Sequence, residues 1–207
     1  MVHRNVVALV AFVAFPLVAV AQESRVYVGG AINFVEQTHS RAEPLGGTTW
    51  GGSALFGVQV SPRVAVEFEP SFGRTYSWQY TYRPSPSLIA DVVASRRDMF
   101  FSVQTRMRLR VIEPVVGLSY VRGRISRHAT VGSRTYFDDN RSDDHFAVTG
   151  GVDAALNLSS HVYFVPTFRV LVSAPRVAPD AFGDPLGAQT STGSVVFRYG
   201  AGARIAF

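Results

Sequence analysis

Apolar residues alternate with small or polar residues along eight segments of the chain. In segment 99–111, six of the seven odd positions are apolar, whereas the even positions include Arg106, Arg108 and Arg110. A strand places these three arginines on one face, whereas a helix would spread them around its circumference. The same period of two recurs in segments 25–34, 50–60, 64–73, 114–121, 146–157, 162–172 and 195–207. Because no sustained 3.6-residue period follows position 22, the pattern predicts an all-β protein.

The connections between these segments alternate in length. Three are short, at 61–63, 112–113 and 159–161, and four are long, at 36–49, 75–97, 122–144 and 173–193. Short turns at one end and long loops at the other are typical of outer-membrane barrels, in which the short turns are periplasmic. The sequence therefore predicts an eight-stranded antiparallel up-and-down transmembrane β-barrel with short periplasmic turns and four long extracellular loops.

The residues on the two faces distinguish a membrane barrel from a water-soluble one. A soluble barrel of the lipocalin kind places its apolar side chains inside. Here the less bulky face combines a few long arginines with glycines, which suits the narrow interior of an eight-stranded barrel. These glycines are Gly29, Gly51, Gly57, Gly117, Gly151, Gly200 and Gly202. We therefore expect the bulky apolar face to contact lipid, and a soluble carrier is the alternative. Pro70 and Pro166 each predict a bulge or a missing ladder bond.

Charged residues on the less bulky face are expected to pair inside the barrel. Counted from the periplasmic turns, Glu67 lies at the depth of Arg108, and Glu69 lies at the depth of Arg106 on the next strand. Removing one partner from a buried ion pair costs ~3–5 kcal/mol, so the interior must keep its ions paired. The predicted interior ion-pair network comprises Glu67, Glu69, Arg106, Arg108, Asp153 and Arg169. Such a network would hold the lumen shut, and a switchable plug is the functional alternative.

The N-terminus has the three parts of a secretory signal. A basic start at His3 and Arg4 precedes the apolar run 6–18, and Ala19-Val20-Ala21 forms a small-x-small cleavage site. The run is shorter than the ~20 residues that a comfortable membrane helix needs. We therefore expect a cleaved signal peptide at 1–21 and a barrel domain at 22–207, with a retained anchor helix as the alternative.

Composition and charge exclude several classes of function. The formal net charge is +5 and all 20 basic residues are arginine. They are mostly scattered singly among carboxylates, whereas a nucleic-acid interface would cluster them on one face, so we expect no nucleic-acid partner. The chain has no cysteine, which excludes disulfides, thiolate metal sites and a cysteine nucleophile.

Candidate catalytic and metal-binding residues fall in the long connections. Serine and aspartate residues accompany His39, His128 and His145 at no informative spacing, whereas a hydrolase needs its triad on a rigid support. We expect no enzyme activity, no catalytic residue and no cofactor. The acidic run 137–145 could coordinate a hard cation, but it lacks the glycine and the distal glutamate of an EF-hand loop. A solvated loop tip without metal is the favoured interpretation.

Four stretches carry a family resemblance: VYVGGAINF, EPVVGLSY, VTGGVDAALNLSSHVYFVPTFRV and FRYGAGARIAF. Together they resemble the small eight-stranded barrels of Gram-negative outer membranes, the OmpA transmembrane-domain and OmpX kind. The resemblance implies a monomer in the cell outer membrane, in contact with membrane lipid and lipopolysaccharide. It also implies that the barrel-assembly machinery recognises the final strand, with Tyr199, Ile205 and Phe207 as the assembly signal.

The expected function follows from this architecture. We expect a non-enzymatic, structural or surface-interaction protein that serves envelope integrity or adhesion through its extracellular loops. A narrow pore or transporter and a lipid-modifying enzyme of the outer membrane are the alternatives.

Overall fold

A computed structural model of the chain describes residues 26–38, 47–85, 87–177 and 191–207. The described residues form ten strands: β1 (Val26–Thr38), β2 (Gly47–Ser61), β3 (Val64–Gly73), β4 (Tyr76–Ser85), β5 (Leu88–Met107), β6 (Ile112–Val131), β7 (Arg134–Ala154), β8 (Leu156–Asn157), β9 (Val162–Val177) and β10 (Ser191–Ala206). The expected signal peptide at 1–21 lies outside these ranges. Within them, no helix is long and apolar enough to cross a membrane.

The strands close into one antiparallel barrel. Neighbouring strands follow the order β10-β1-β2-β3-β5-β6-β7-β9, and β9 pairs with β10 to complete the circle. β4 continues β3 after a break at Arg74 and Thr75, and β8 continues β7 after Ala155. Ten segments therefore make eight barrel strands, and the predicted fold class is confirmed.

Two of the long connections are β-hairpins that continue the barrel wall. The pairing of β5 with β6 runs without interruption from Arg106↔Val115 to Asp91↔Thr130, and β7 follows β6 through a tight turn at Gly132. Gly132 has a φ of 60°, a conformation that hairpin turns require and that glycine adopts without strain. Most of segments 75–97 and 122–144 is therefore strand, because cross-strand partners satisfy its backbone hydrogen-bonding groups.

Large apolar side chains point away from the barrel axis. Ile32, Val116 and Phe146 are 60–65% exposed on the outer surface, whereas their inward neighbours Asn33, Val115 and Ala147 are buried. A soluble barrel would bury these apolar groups. The soluble-carrier alternative is therefore wrong, and the apolar exterior is the face that contacts lipid.

The strand pairing is interrupted beside both prolines, as the sequence predicts. β2 and β3 keep one register from Ser53↔Ser71 to Phe56↔Phe68 but leave Pro70 without a partner on β2. The break between β7 and β8 lies opposite Pro166, between the pairs that include Asp153 and Leu156. Each proline lacks the N–H that would donate to the neighbouring strand, which explains both gaps.

Candidate functional site

A network of four arginines and four carboxylates fills the lumen towards the short turns. At its centre, Arg106 on β5 contacts three carboxylates: Glu67 at 2.6 Å, Glu113 at 2.7 Å and Asp153 at 2.6 Å. Arg204 on β10 lies 2.6 Å from Glu113. All five side chains are at most 3% exposed. Little of these side chains is accessible to solvent, so each charge depends mainly on its protein partners.

A second group of ions continues the network away from the short turns. Arg169 forms hydrogen bonds with both oxygens of Asp153, and its Nε lies 3.8 Å from Glu69. Arg198 on β10 donates to the other oxygen of Glu69 at 2.6 Å. Gln104 donates to both glutamates of β3, at 3.1 and 3.0 Å, and so links the two groups. Six strands, β3, β5, β6, β7, β9 and β10, therefore share one connected set of charges.

The structure brings together five of the six residues expected in this network, namely Glu67, Glu69, Arg106, Asp153 and Arg169. Arg108 lies at the edge, where its side chain is 35% exposed and contacts Glu113 at 3.3 Å. The partners differ from the equal-depth expectation, because β3 and β5 are staggered and Arg106 opposes Ala65. The stagger brings Arg106 to Glu67 and leaves Glu69 to the arginines of β9 and β10.

Five members of the network were not in the set predicted from the sequence: Tyr27, Gln104, Glu113, Arg198 and Arg204. Tyr27 donates to Glu67, and the Arg204 guanidinium lies 5.3 Å from the centre of the Tyr27 ring. A signal was present for Arg198 and Arg204, since both occupy even positions of a last strand whose even face points inward. Glu113 follows the turn directly, so the alternation of its own strand does not reveal its direction.

Above the ion network, the lumen is closed by hydroxyl groups and then by apolar side chains. Ser102 and Ser119 share a hydrogen bond of 2.6 Å, and Thr149 extends this layer. The next layer is a cluster of six buried apolar side chains, which we call the apolar plug: Val35, Phe100, Val121, Ala147, Leu171 and Val196. A cavity of about 30 Å³ beside the ions has room only for water. The described lumen is thus filled by side chains.

A smaller ion group lies above the apolar plug. Arg96 contacts Asp98 at 2.9 Å and Asp143 at 3.1 Å, and His145 lies 3.2 Å from the backbone oxygen of Asp143. This group joins β5 to β7 where the hairpins leave the barrel. It stabilises the start of the extracellular sheet.

The acidic run 137–145 is part of β7 and not a loop tip, so its expected position is wrong. Strand alternation turns Asp138 and Asp144 to the exposed outer face, whereas Asp139 and Asp143 point to the other side. Carboxylates on opposite faces cannot share one cation. In the ranges that the structure describes, no group of three or more histidine, aspartate or glutamate side chains could hold a metal ion. His39 lies outside those ranges.

The three residues of the expected assembly signal lie on the lipid-facing surface. Tyr199, Ile205 and Phe207 are 40%, 42% and 71% exposed. The Tyr199 ring stacks on Phe34 of β1 at 5.7 Å, and the backbone N–H of Phe207 donates to the carbonyl of Val26 at 2.9 Å. The last strand therefore closes the barrel against the first.

Comparison with known proteins supports the same architecture. No family model matches the sequence, and no curated relative matches it. Among solved structures, Ail of Yersinia pestis, the attachment invasion locus protein, in complex with the heparin analogue sucrose octasulfate, matches with a TM-score of 0.55 and 10% identity over 89% of this chain and 100% of Ail. A major outer membrane protein of Thermus thermophilus matches with a TM-score of 0.56 and 13% identity over 90% of this chain and 100% of that one.

These similarities show the fold alone. The membrane location of the barrel follows from its own outer surface. In hydrocarbon every backbone polar group must be paired internally, and a closed barrel meets this condition. The outward apolar side chains supply the lipid-contacting band. The protein is therefore an integral β-barrel of the outer membrane.

Proposed function

We propose that this barrel is a non-enzymatic surface protein of the OmpA transmembrane-domain and OmpX kind, which serves envelope integrity or adhesion. The filled lumen is the observation that carries the proposal. The ion network and the apolar plug occupy successive levels of the lumen, and Arg106, Phe100 and Leu171 are at most 2% exposed. A pore needs a continuous aqueous path, and an eight-stranded barrel is just narrow enough for side chains to fill.

The extracellular hairpins support a role at the cell surface. β4, β5, β6 and β7 extend beyond the apolar band as a four-stranded sheet, in which Ala90, Val92 and Ala129 form a small buried cluster. A sheet with its own core presents its exposed outer face in a defined shape. Ail is an attachment protein by name, so adhesion is the form of the proposal to test first.

The proposed partners follow from the outer surface of the barrel and from its last strand. Membrane lipid and lipopolysaccharide would contact the exterior, and the barrel-assembly machinery would recognise Tyr199, Ile205 and Phe207 on the last strand. We propose a monomer without a nucleic-acid partner. The closed ladder supports the monomer, because it leaves no edge within the barrel for a second copy.

The test combines conductance with adhesion. Replacing residues 126–140 by Asn-Gly shortens the β6–β7 hairpin at the pair Ile125↔Arg141 and supplies a two-residue turn of the favoured type. We expect the full chain to show no discrete conductance steps in planar bilayers and to promote binding of expressing cells to host surfaces. The shortened variant should lose that binding while it keeps the gel mobility of a folded barrel. Discrete conductance steps, or equal adhesion by both proteins, would contradict the proposal.

A further inference from the structure

Three arginines lie on the outer face of the barrel wall directly beyond its apolar band. On the outer face of β5, Arg97 lies next to the lipid-facing Met99 on its extracellular side. On β6, Arg122 lies next to Tyr120 in the same direction. Arg124 is the next outward residue on β6. We call Arg97, Arg122 and Arg124 the boundary arginines. All three are exposed.

Two of the boundary arginines oppose each other on neighbouring strands. Arg97 and Arg124 are direct partners in the β5–β6 ladder, so their Cα atoms lie about 4.5–5.5 Å apart. Like charges at directly opposed positions destabilise a sheet. Asp144 opposes Arg122 but accepts a hydrogen bond from the Tyr120 hydroxyl at 2.8 Å. Within the described part of the chain, no carboxylate forms an ion pair with Arg97 or Arg124, so this opposed pair has no direct counter-ion in the protein.

A shallow depression surrounds two of these arginines. Its volume is about 510 Å³, and its lining includes Arg97, Arg124, Ser95, Ser126, Asn140 and Ser142. Guanidinium groups form paired hydrogen bonds with phosphate oxygens, and the hydroxyl and amide groups suit sugar hydroxyls. The ligand chemistry that fits this lining is therefore a phosphorylated sugar.

The position of the depression identifies the source of such a ligand. The wall beyond Met99 and Tyr120 passes the headgroup level of the outer leaflet, where an exposed arginine costs ~0–1 kcal/mol compared with ~2–4 kcal/mol at mid-bilayer. On the neighbouring strand pair, Arg74 lies over the Trp50 ring at 5.7 Å and adds a further positive charge at the rim. A lipid with a phosphorylated sugar headgroup would meet these groups while its acyl chains contact the apolar band.

We propose that Arg97 and Arg124, flanked by Arg122, bind the phosphorylated sugar headgroup of an outer-leaflet lipid. This inference deepens the proposed contact with outer-membrane lipid by assigning it to one face of the barrel. The bound phosphate neutralises the opposed pair and so removes the repulsion between β5 and β6. The lipid then braces the hairpins at the point where they leave the membrane.

The experiment compares lipid retention between variants with equal charge change. The refolded chain in micelles is titrated with diphosphorylated lipid A, and bound lipid is counted by native mass spectrometry. Loss of both arginines in R97Q/R124Q should weaken binding about 30-fold, which corresponds to ~2 kcal/mol at about 1 kcal/mol per basic residue near a charged surface. The matched control R83Q/R134Q removes two exposed arginines at the hairpin ends and should bind as the unmodified chain does.

Three outcomes would overturn the inference. R97Q/R124Q could bind as tightly as the control, dephosphorylated lipid A could bind as tightly as the phosphorylated form, or millimolar inorganic phosphate could displace the lipid. The last result would identify free phosphate as the ligand. If R97Q/R124Q lacks the gel mobility of a folded barrel, R97K/R124K replaces it, and this variant should lose the bidentate contacts and bind less tightly than the unmodified chain. Adhesion and conductance are measured separately, so failure here is distinguishable from failure of the proposed function.

Discussion

Replacing Arg106 with methionine tests how strongly the interior ion network stabilises the barrel. Arg106 contacts three carboxylates, and its side chain is 2% exposed. After the change, Asp153 keeps Arg169 and Glu113 keeps Arg204, but Glu67 keeps only uncharged hydrogen-bond partners among the described residues. Removing one partner from a buried ion pair costs about 3–5 kcal/mol. We expect the free energy of unfolding to fall by that amount.

The assay is urea unfolding in lipid vesicles, followed by tryptophan fluorescence. Arg108→Met is the matched control, because Arg108 lies directly after the end of β5, two residues from Arg106, but is 35% exposed and has one carboxylate partner. An exposed ion pair contributes about 0–1 kcal/mol, so the control should lose no more than that. Adding Glu67→Gln to Arg106→Met should recover part of the loss, since it removes the unpaired charge. If Arg106→Met lost less than the Arg108 control, the reasoning about buried charge would be wrong.

Three further predictions concern packing and assembly. A Cβ on Gly57 would lie 2.2 Å from the Tyr27 ring, so Gly57→Ala should cost about 1–3 kcal/mol of unfolding free energy in the urea assay, whereas Gly150→Ala, with no atom within 4 Å, should be neutral. Phe100→Ala in the apolar plug should cost about 3–5 kcal/mol, more than Phe146→Ala on the lipid side; an equal loss at both positions would contradict a packed lumen. Phe207→Ala should lower the amount of barrel in the outer membrane of cells but leave refolding in vesicles unchanged, as compared by immunoblot and gel mobility with Phe146→Ala; unchanged levels in cells would refute the assembly role.

The alternation of side chains predicts the barrel because the period of a strand is a local property. The odd and even positions of segment 99–111 indicate both the strand and its two faces, and Met99, Val103 and Met107 face outward as expected. The same rule gives no prediction for the preceding residues Ser95, Arg96 and Arg97, because polar side chains occupy both faces of the chain there. Nothing in their local pattern distinguishes a hairpin in water from an irregular loop.

The partners within the ion network depend on the stagger between strands, which no single strand encodes. Glu69 and Arg198 are 129 positions apart in sequence, and they meet only because the barrel closes. The inward face predicts which charges are interior, whereas shear decides which of them touch. Arg106 therefore reaches Glu67, although Glu69 lies at its apparent depth.

The orientation of the two faces is the central claim of this account. The chain has no native cysteine, so single cysteines can be introduced one at a time and labelled with a fluorophore. Neighbouring positions on two strands provide matched pairs: L118C with S119C on β6, and V148C with T149C on β7. Leu118 and Val148 are 60% and 56% exposed, whereas Ser119 and Thr149 are 0% exposed.

The decisive measurement is quenching of these labels by a quencher attached to lipid acyl chains, in barrels refolded into vesicles. We predict strong quenching at positions 118 and 148 and little at positions 119 and 149. The reverse order, with the apolar positions shielded from lipid and the polar ones quenched, would contradict the account.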